Sequence, residues 1–185
     1  MASYEELEEK KVSSSQIYDG KIVKLFRDTV TLPDGNPAFR EVIRHPGAVC
    51  VVPITDDGDV ICVRQFRYPF SKVTLEIPAG KLDGKNEDHA SAAMRELREE
   101  TGATCGELVY IGEAWSSPAI LDEVLYMYYA KGLTFGKADP DEDEFITSER
   151  IPLEKLVSMI LSGEICDGKT QVAVLKTAML LKEKK

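Results

Sequence analysis

Three glutamates on one short helix are the residues of this chain best suited to chemistry. The stretch GKLDGKNEDHASAAMRELREETGA, Gly80 to Ala103, brings Arg95, Glu96, Glu99 and Glu100 close together and ends at Gly102. A helix advances about 100° per residue, so Glu96, Glu99 and Glu100 share roughly one 100° arc. On an open helix surface each such pair of like charges costs a few tenths of a kcal/mol. A divalent cation removes that penalty. A hard ion such as Mg²⁺ takes carboxylate oxygens and keeps several waters for a phosphate partner. The residues therefore point to a metal site for phosphate chemistry. The plain alternative is a solvated charged face, in which Arg95 and Glu99 form an ordinary i, i+4 pair.

The elements that must hold this helix can be read along the chain. Residues 1–15 are polar and read as mobile. KIVKLFRDTVTL and FREVIRH read as strands around the turn Pro33-Asp34-Gly35-Asn36. AVCVVPIT and VICVRQFR flank Asp56-Asp57-Gly58-Asp59, a hairpin signature. TLEIP is a short strand leading into the Gly80 loop. The helix runs over about 87–101, with Ala90, Ala93, Met94 and Leu97 as its buried stripe, on the side away from the carboxylates. ELVYIGEAW, VLYMYYAKGL and DEFITSERI read as further strands. Pro152 opens a helix, and a last one follows Gly168. Strands on both sides of a central helix, closed by two helices, predict an α+β fold of the α/β/α sandwich type, a mixed central sheet with flanking helices plus an N-terminal antiparallel strand extension.

At 185 residues with 43% apolar content, the chain fits one domain with a sizeable core and a small N-terminal extension. A net charge of −9 argues against nucleic-acid or anionic-membrane partners, which need basic surface. Cys50, Cys62, Cys105 and Cys166 are scattered without a C-x-x-C pair and read as reduced, mostly buried thiols. The opening MASYEELEEKK lacks the apolar stretch of a secretory signal, and no apolar run approaches the ~18 residues of a membrane span. Cytoplasmic residence is the expectation.

Glu87, seven residues, then Arg95-Glu96-Leu97-Arg98-Glu99-Glu100-Thr101-Gly102-Ala103 resembles the Nudix box, G-x5-E-x7-R-E-U-x-E-E-x-G-U, with U an apolar residue. The second half agrees at every fixed position. Gly80 lies one residue too far from Glu87, so the loop carries an insertion near Gly84 to Asn86. Three further features resemble the ADP-ribose pyrophosphatase branch. Pro118 in WSSPAILDE lies fifteen residues beyond Ala103, with Ala119 where relatives commonly have glycine. REVIRHPGAV and VRQFRYPF precede the box, and the acidic loop DPDEDEFI follows it.

The resemblance implies roles position by position. Glu96 and Glu100 match the main metal-ligating glutamates and Glu99 a supporting one. The carbonyl of Ala79 matches a backbone ligand and Glu144 a ligand from the late loop. Glu142 matches the glutamate that activates the attacking water, with Glu123 as the second candidate. Arg40, Arg44 and Arg67 are the substrate-contacting candidates, with Glu123 beside them. A guanidinium suits phosphate oxygens because it binds them in a bidentate fork, although an arginine in a strand also pairs readily with a neighbouring carboxylate. Relatives that stack adenine use an aromatic near the position of Ile22, so Tyr18, Phe26 or Phe39 substitutes here, or apolar contact holds the base. Tyr126, Tyr128 and Tyr129 read as strand packing, and His45 and His89 as structural or exposed.

The implied reaction is hydrolysis of ADP-ribose to AMP and ribose 5-phosphate with two or three Mg²⁺ ions, Mn²⁺ being the alternative. Residues 1–45 would form a strand extension that builds a homodimer, and residues 46–185 the hydrolase domain. The competing readings are hydrolysis of another ADP-, GDP- or UDP-sugar, and a non-catalytic module that senses ADP-ribose or a nucleotide.

Overall fold

The computed structural model describes residues 3–139 and 144–183, and their contacts divide the chain into two units. The first comprises Met1–Pro46 with Trp115–Glu123. Its framework is an antiparallel sheet of β1 (Lys10–Asp19), β2 (Lys24–Thr31) and β3 (Pro37–Arg44) in that order. The Pro33–Asn36 segment makes the expected turn, with Gly35 at φ +87 and its N–H bonded to Leu32 O. The segment 115–123 adds to β3, since Ile43 N–H donates to Ile120 O and Asp122 N–H donates to Ile43 O.

Residues 10–15, expected to be mobile, belong to β1. Every residue of that strand is exposed, so neither face carries the apolar alternation that marks a strand in a sequence. What holds it is the ladder to β2 and side-chain bonds across it, Ser14 to the buried Asp28, Ser15 to Arg27 O and Lys24 to Asp19.

The second unit comprises Gly47–Ala114 and Val124–Lys185. It holds a four-stranded sheet in the order β7 (Ala79–Lys81), β4 (Ala48–Pro53), β9 (Val124–Phe135) and β8 (Ala103–Trp115), Trp115 alone falling in the first unit. β4 runs parallel to β9 and antiparallel to β7, so the sheet is mixed, as expected. A second sheet places β5 (Asp59–Arg67) between β10 (Thr147–Pro152) and β6 (Lys72–Glu76).

β4 is buried on both faces, and its period of two sorts the core. Val49 and Val51 face α1 (His89–Thr101), packing with Ala92, Ala93 and Leu97. Cys50 and Val52 belong to the opposite cluster, with Leu156 of α2 (Leu153–Leu161) and Ala173 and Val174 of α3 (Gly168–Glu183). Helices therefore cover both faces, the predicted sandwich. Cys50 and Cys62 are buried free thiols, Cys105 is half-buried and Cys166 exposed. Among the described residues no helix is long and apolar enough to cross a membrane.

The helix stripe differs from expectation. Met94 is 46% exposed, while Ala92 is buried and so are Glu96 and Glu100. The face turned to β4 and β7 runs through positions 92, 93, 96, 97 and 100, so the carboxylates continue the buried stripe instead of opposing it. Asp88 caps the helix by accepting from Ser91 N–H at 2.8 Å, and Gly102 closes it at φ +70.

Candidate active site

Strand β7 and helix α1 bring the box carboxylates together against backbone. Glu100 accepts the N–H of Ala79 at 3.2 Å. A Cβ on Gly80 would fall 2.0 Å from the Glu96 carboxylate, so any other residue there would push that carboxylate from its place. Arg95 spans the outer side. Its Nη1 donates to Glu96 at 2.8 Å and to Glu99 at 3.1 Å, and its Nη2 donates to Lys81 O at 3.2 Å. Arg95 Nη2 also lies 3.5 Å from Glu87. Glu99 is thereby held at the rim, half-buried, while Glu96 and Glu100 point inward.

The inner pair is electrostatically uneasy. Burial pushes the Glu96 carboxyl up to about 7, the pull of Arg95 opposing and Glu99 and Glu144 adding to the rise. Burial likewise pushes Glu100 to about 8, against the Ala79 N–H and helped by the charges of Glu96 and Glu144. Glu144 is exposed, yet its field reaches both.

The start of the late acidic loop is tied to the end of the helix. Gly136 N–H donates to Gly102 O at 2.7 Å and Asp139 N–H to Glu99 O at 3.0 Å. A Cβ on Gly102 would sit 2.5 Å from Gly136 O. Glu142, expected as the base, lies outside the described residues.

These residues fit a divalent ion. Two buried carboxylates whose ionisation is disfavoured, held beside Ala79 and Gly80 of β7, would gain from a hard cation. Among the described residues no three acidic, histidine or cysteine side chains form a cage by themselves.

Beside this cluster lies a second charged group that sequence reasoning missed. Glu76, 1% exposed, accepts from Arg67 Nε at 2.8 Å, Arg67 Nη2 at 2.6 Å, Thr74 Oγ1 at 2.6 Å and Lys169 Nζ. Burial opposes its ionisation, but Arg67 and Lys169 outweigh burial and hold the carboxyl down to about 2. The glutamate between Leu75 and Ile77 in TLEIP was the available signal. Nothing in the sequence could name a lysine 93 residues away as its partner.

The remaining candidates belong to the first unit. Arg40 pairs with Glu9, its Nε donating at 2.8 Å. Arg44 donates to Asp28 at 2.6 Å and to Asp122 at 3.3 Å. Glu123 accepts from Ser116 Oγ and lies 3.5 Å from His45 Nδ1. Tyr128 and Tyr129 are buried strand packing, as expected. His89 stacks on Tyr126 at 4.3 Å and bonds the Tyr128 hydroxyl, a structural setting.

Comparisons with known proteins converge. The NUDIX domain model matches residues 44–170, and the nucleoside diphosphate sugar hydrolase N-terminal domain matches residues 9–43. The chain is 41% identical over 170 residues to the ADP-ribose pyrophosphatase of Bacillus subtilis (strain 168), covering 91% of each. It is 43% identical over 169 residues to the methanol dehydrogenase activator of Bacillus methanolicus, covering 90% of this chain and 91% of that one. It is 31% identical to the GDP-mannose pyrophosphatase of Yersinia enterocolitica serotype O:8, over 84% of this chain and 88% of that one. The fold matches a solved structure titled as an ADP compounds hydrolase, with a TM-score of 0.83 at 19% identity over 95% of each chain.

Proposed function

The chain belongs to the Nudix family, and from that membership we propose that it hydrolyses ADP-ribose to AMP and ribose 5-phosphate. The observation that carries the reading is the buried Glu96–Glu100 pair against Ala79 and Gly80, a carboxylate pair suited to a cation, in a chain 41% identical to an ADP-ribose pyrophosphatase.

Glu96 and Glu100, with Glu99, Glu144 and the Ala79 carbonyl, would hold Mg²⁺, or Mn²⁺ in its place. A bound divalent ion would neutralise developing charge on the diphosphate and lower the pKa of water. Arg95 fixes Glu96 and Glu99 in register, so the carboxylate oxygens are aimed before substrate arrives. Arg67 presents a guanidinium to the diphosphate. Arg40 and Arg44 are proposed as further substrate contacts. The proton of the attacking water goes to Glu142, with Glu123 as the second candidate. Residues 1–45 are proposed as the dimer-building extension of a homodimer and 46–185 as the hydrolase domain. The exposed β1 strand and the match of an N-terminal domain to residues 9–43 support that division.

A second reading is hydrolysis of another nucleoside diphosphate sugar, favoured by the likeness to a GDP-mannose pyrophosphatase. Turnover of ADP-ribose, ADP-glucose, GDP-mannose and UDP-glucose with Mg²⁺ and with EDTA decides between them. Metal-dependent preference for ADP-ribose is the expected result. Preference for GDP-mannose selects the second reading. Binding of ADP-ribose without turnover of any of the four contradicts the enzyme.

A further inference from the structure

We propose that Lys169, at the start of α3, is a positioning residue of the diphosphate site, acting through Glu76 to aim Arg67. The inference rests on the diphosphate-sugar reading above.

A carboxylate offers about four lone-pair directions, and at Glu76 all four are taken. Oε1 receives Arg67 Nε and Thr74 Oγ1, and Oε2 receives Arg67 Nη2 and Lys169 Nζ. Four donors in fixed positions set the plane of the carboxylate. Arg67 lies in that plane because its Nε–Nη2 edge binds side-on.

The other edge of the guanidinium is what the site can use. Arg67 Nη1 has no hydrogen-bond partner among the described residues, and the side chain is 40% exposed. Glu100 and Asp167 both lie near enough for their charges to act on it. The end-on edge, Nη1 with the second N–H of Nη2, is therefore a ready fork for a phosphate oxygen beside the box glutamates.

Without Lys169, Arg67 would be the only cation on a buried carboxylate. Its tilt would be set by Glu76 and Thr74 alone, and the Glu76 charge would fall on it undivided. With Lys169 sharing Oε2, part of that charge is balanced by the lysine and the carboxylate plane is fixed from a second side.

The lysine is itself held with care. Its Nζ lies 3.0 Å from Asp167, and Asp167 caps α3 by accepting from Thr170 N–H at 2.9 Å and Thr170 Oγ1 at 2.6 Å. Thr170 Oγ1 accepts in turn from Ile77 N–H at 3.0 Å, the residue after Glu76. The start of α3 is thus docked on the end of β6, where the strand turns toward Ala79. Sequence separation hid this arrangement, since Lys169 lies 69 residues beyond Glu100.

The test is a double-mutant cycle on full-length protein, read as KM and kcat for ADP-ribose in saturating Mg²⁺. Lys169→Met should raise KM about tenfold with kcat changed less than about threefold, the loss of one well-aimed charge-assisted contact. Lys169→Arg should restore KM to within about threefold of wild type, because the charge is kept. In the Arg67→Met background, Lys169→Met should add less than about twofold, because two residues acting through one contact are not additive.

Thr74→Val is nearly isosteric and keeps the comparison open should Lys169→Met fail to fold. It should raise KM about threefold in the wild-type background and not in Arg67→Met. An unchanged KM in Lys169→Met, or additive effects with Arg67→Met, would overturn the assignment, and so would an unchanged KM in Thr74→Val. Should the wild type hydrolyse no nucleoside diphosphate sugar, the functional reading fails by itself. The same cycle read on the calorimetric Kd of ADP with Mg²⁺ then decides Lys169.

Discussion

Two glutamates in one unit, Glu76 and Glu100, have opposite electrostatic fates. Both are buried and both border the proposed diphosphate site. Glu76 is ringed by Arg67, Lys169 and Thr74, and its carboxyl is held down to about 2. Among the described residues Glu100 has the Ala79 N–H as its hydrogen-bond partner, and burial, with the charges of Glu96 and Glu144 adding to it, pushes it up to about 8. The difference separates two uses of a buried carboxylate. A structural one such as Glu76 is given its cations by direct bonds from the chain. Glu100 is left with a backbone N–H in place of such a bond among the described residues, which leaves room for an ion from solution.

The comparison can be broken first through turnover. Glu100→Gln should lower kcat for ADP-ribose by on the order of 10³, since an amide cannot supply the charge that holds a divalent ion. The same change should raise the melting temperature in EDTA at pH 8.5, because it removes a carboxylate the fold disfavours in its charged form.

Glu76→Gln should do the reverse to stability. It strands Arg67 and Lys169 around a neutral amide and should cost about 3 kcal/mol, read from denaturant unfolding. Equal stability effects at positions 76 and 100 would dissolve the contrast.

pH sharpens it next. Glu96 and Glu100 have folded-state values raised above the usual 4.5, so their contribution to stability is fully present below about 4.5 and is lost as pH rises through about 7 and about 8. Glu76 has a lowered value, so its contribution is present above about 4.5 and is lost as pH falls toward about 2. In EDTA the protein should therefore melt lower at pH 8.5 than at pH 6.5, and Mg²⁺ should raise the melting temperature more at pH 8.5. Glu96→Gln with Glu100→Gln should flatten that slope and leave the acid limb unchanged.

Smaller effects mark the supports. Gly80→Ala should cost activity by about 10²-fold, because its Cβ would displace the Glu96 carboxylate. Asp88→Ala removes the α1 cap on the far end of the helix and should cost about 1 kcal/mol with kcat unchanged, read by thermal melting and steady-state kinetics.

Much of this was legible beforehand. The strands of the second unit announced themselves through apolar runs bounded by turn residues, and the α+β sandwich follows from their order. The box helix was legible as a spacing of charges. Its buried face was not, because periodicity ranks Met94 above Glu96 and only the docking against β4 and β7 reverses that order. β1 was hidden because a strand exposed throughout has no pattern to read. Glu76 and Lys169 were hidden because a long-range ion pair leaves no local trace.

The most direct test of the central claim is the position of ions in crystals soaked with Mn²⁺ and ADP-ribose, located by anomalous scattering. The account predicts at least one ion within coordination distance of the Glu96 and Glu100 carboxylates, and none on Glu76. Ions bound elsewhere while Glu96 and Glu100 remain unligated would contradict it.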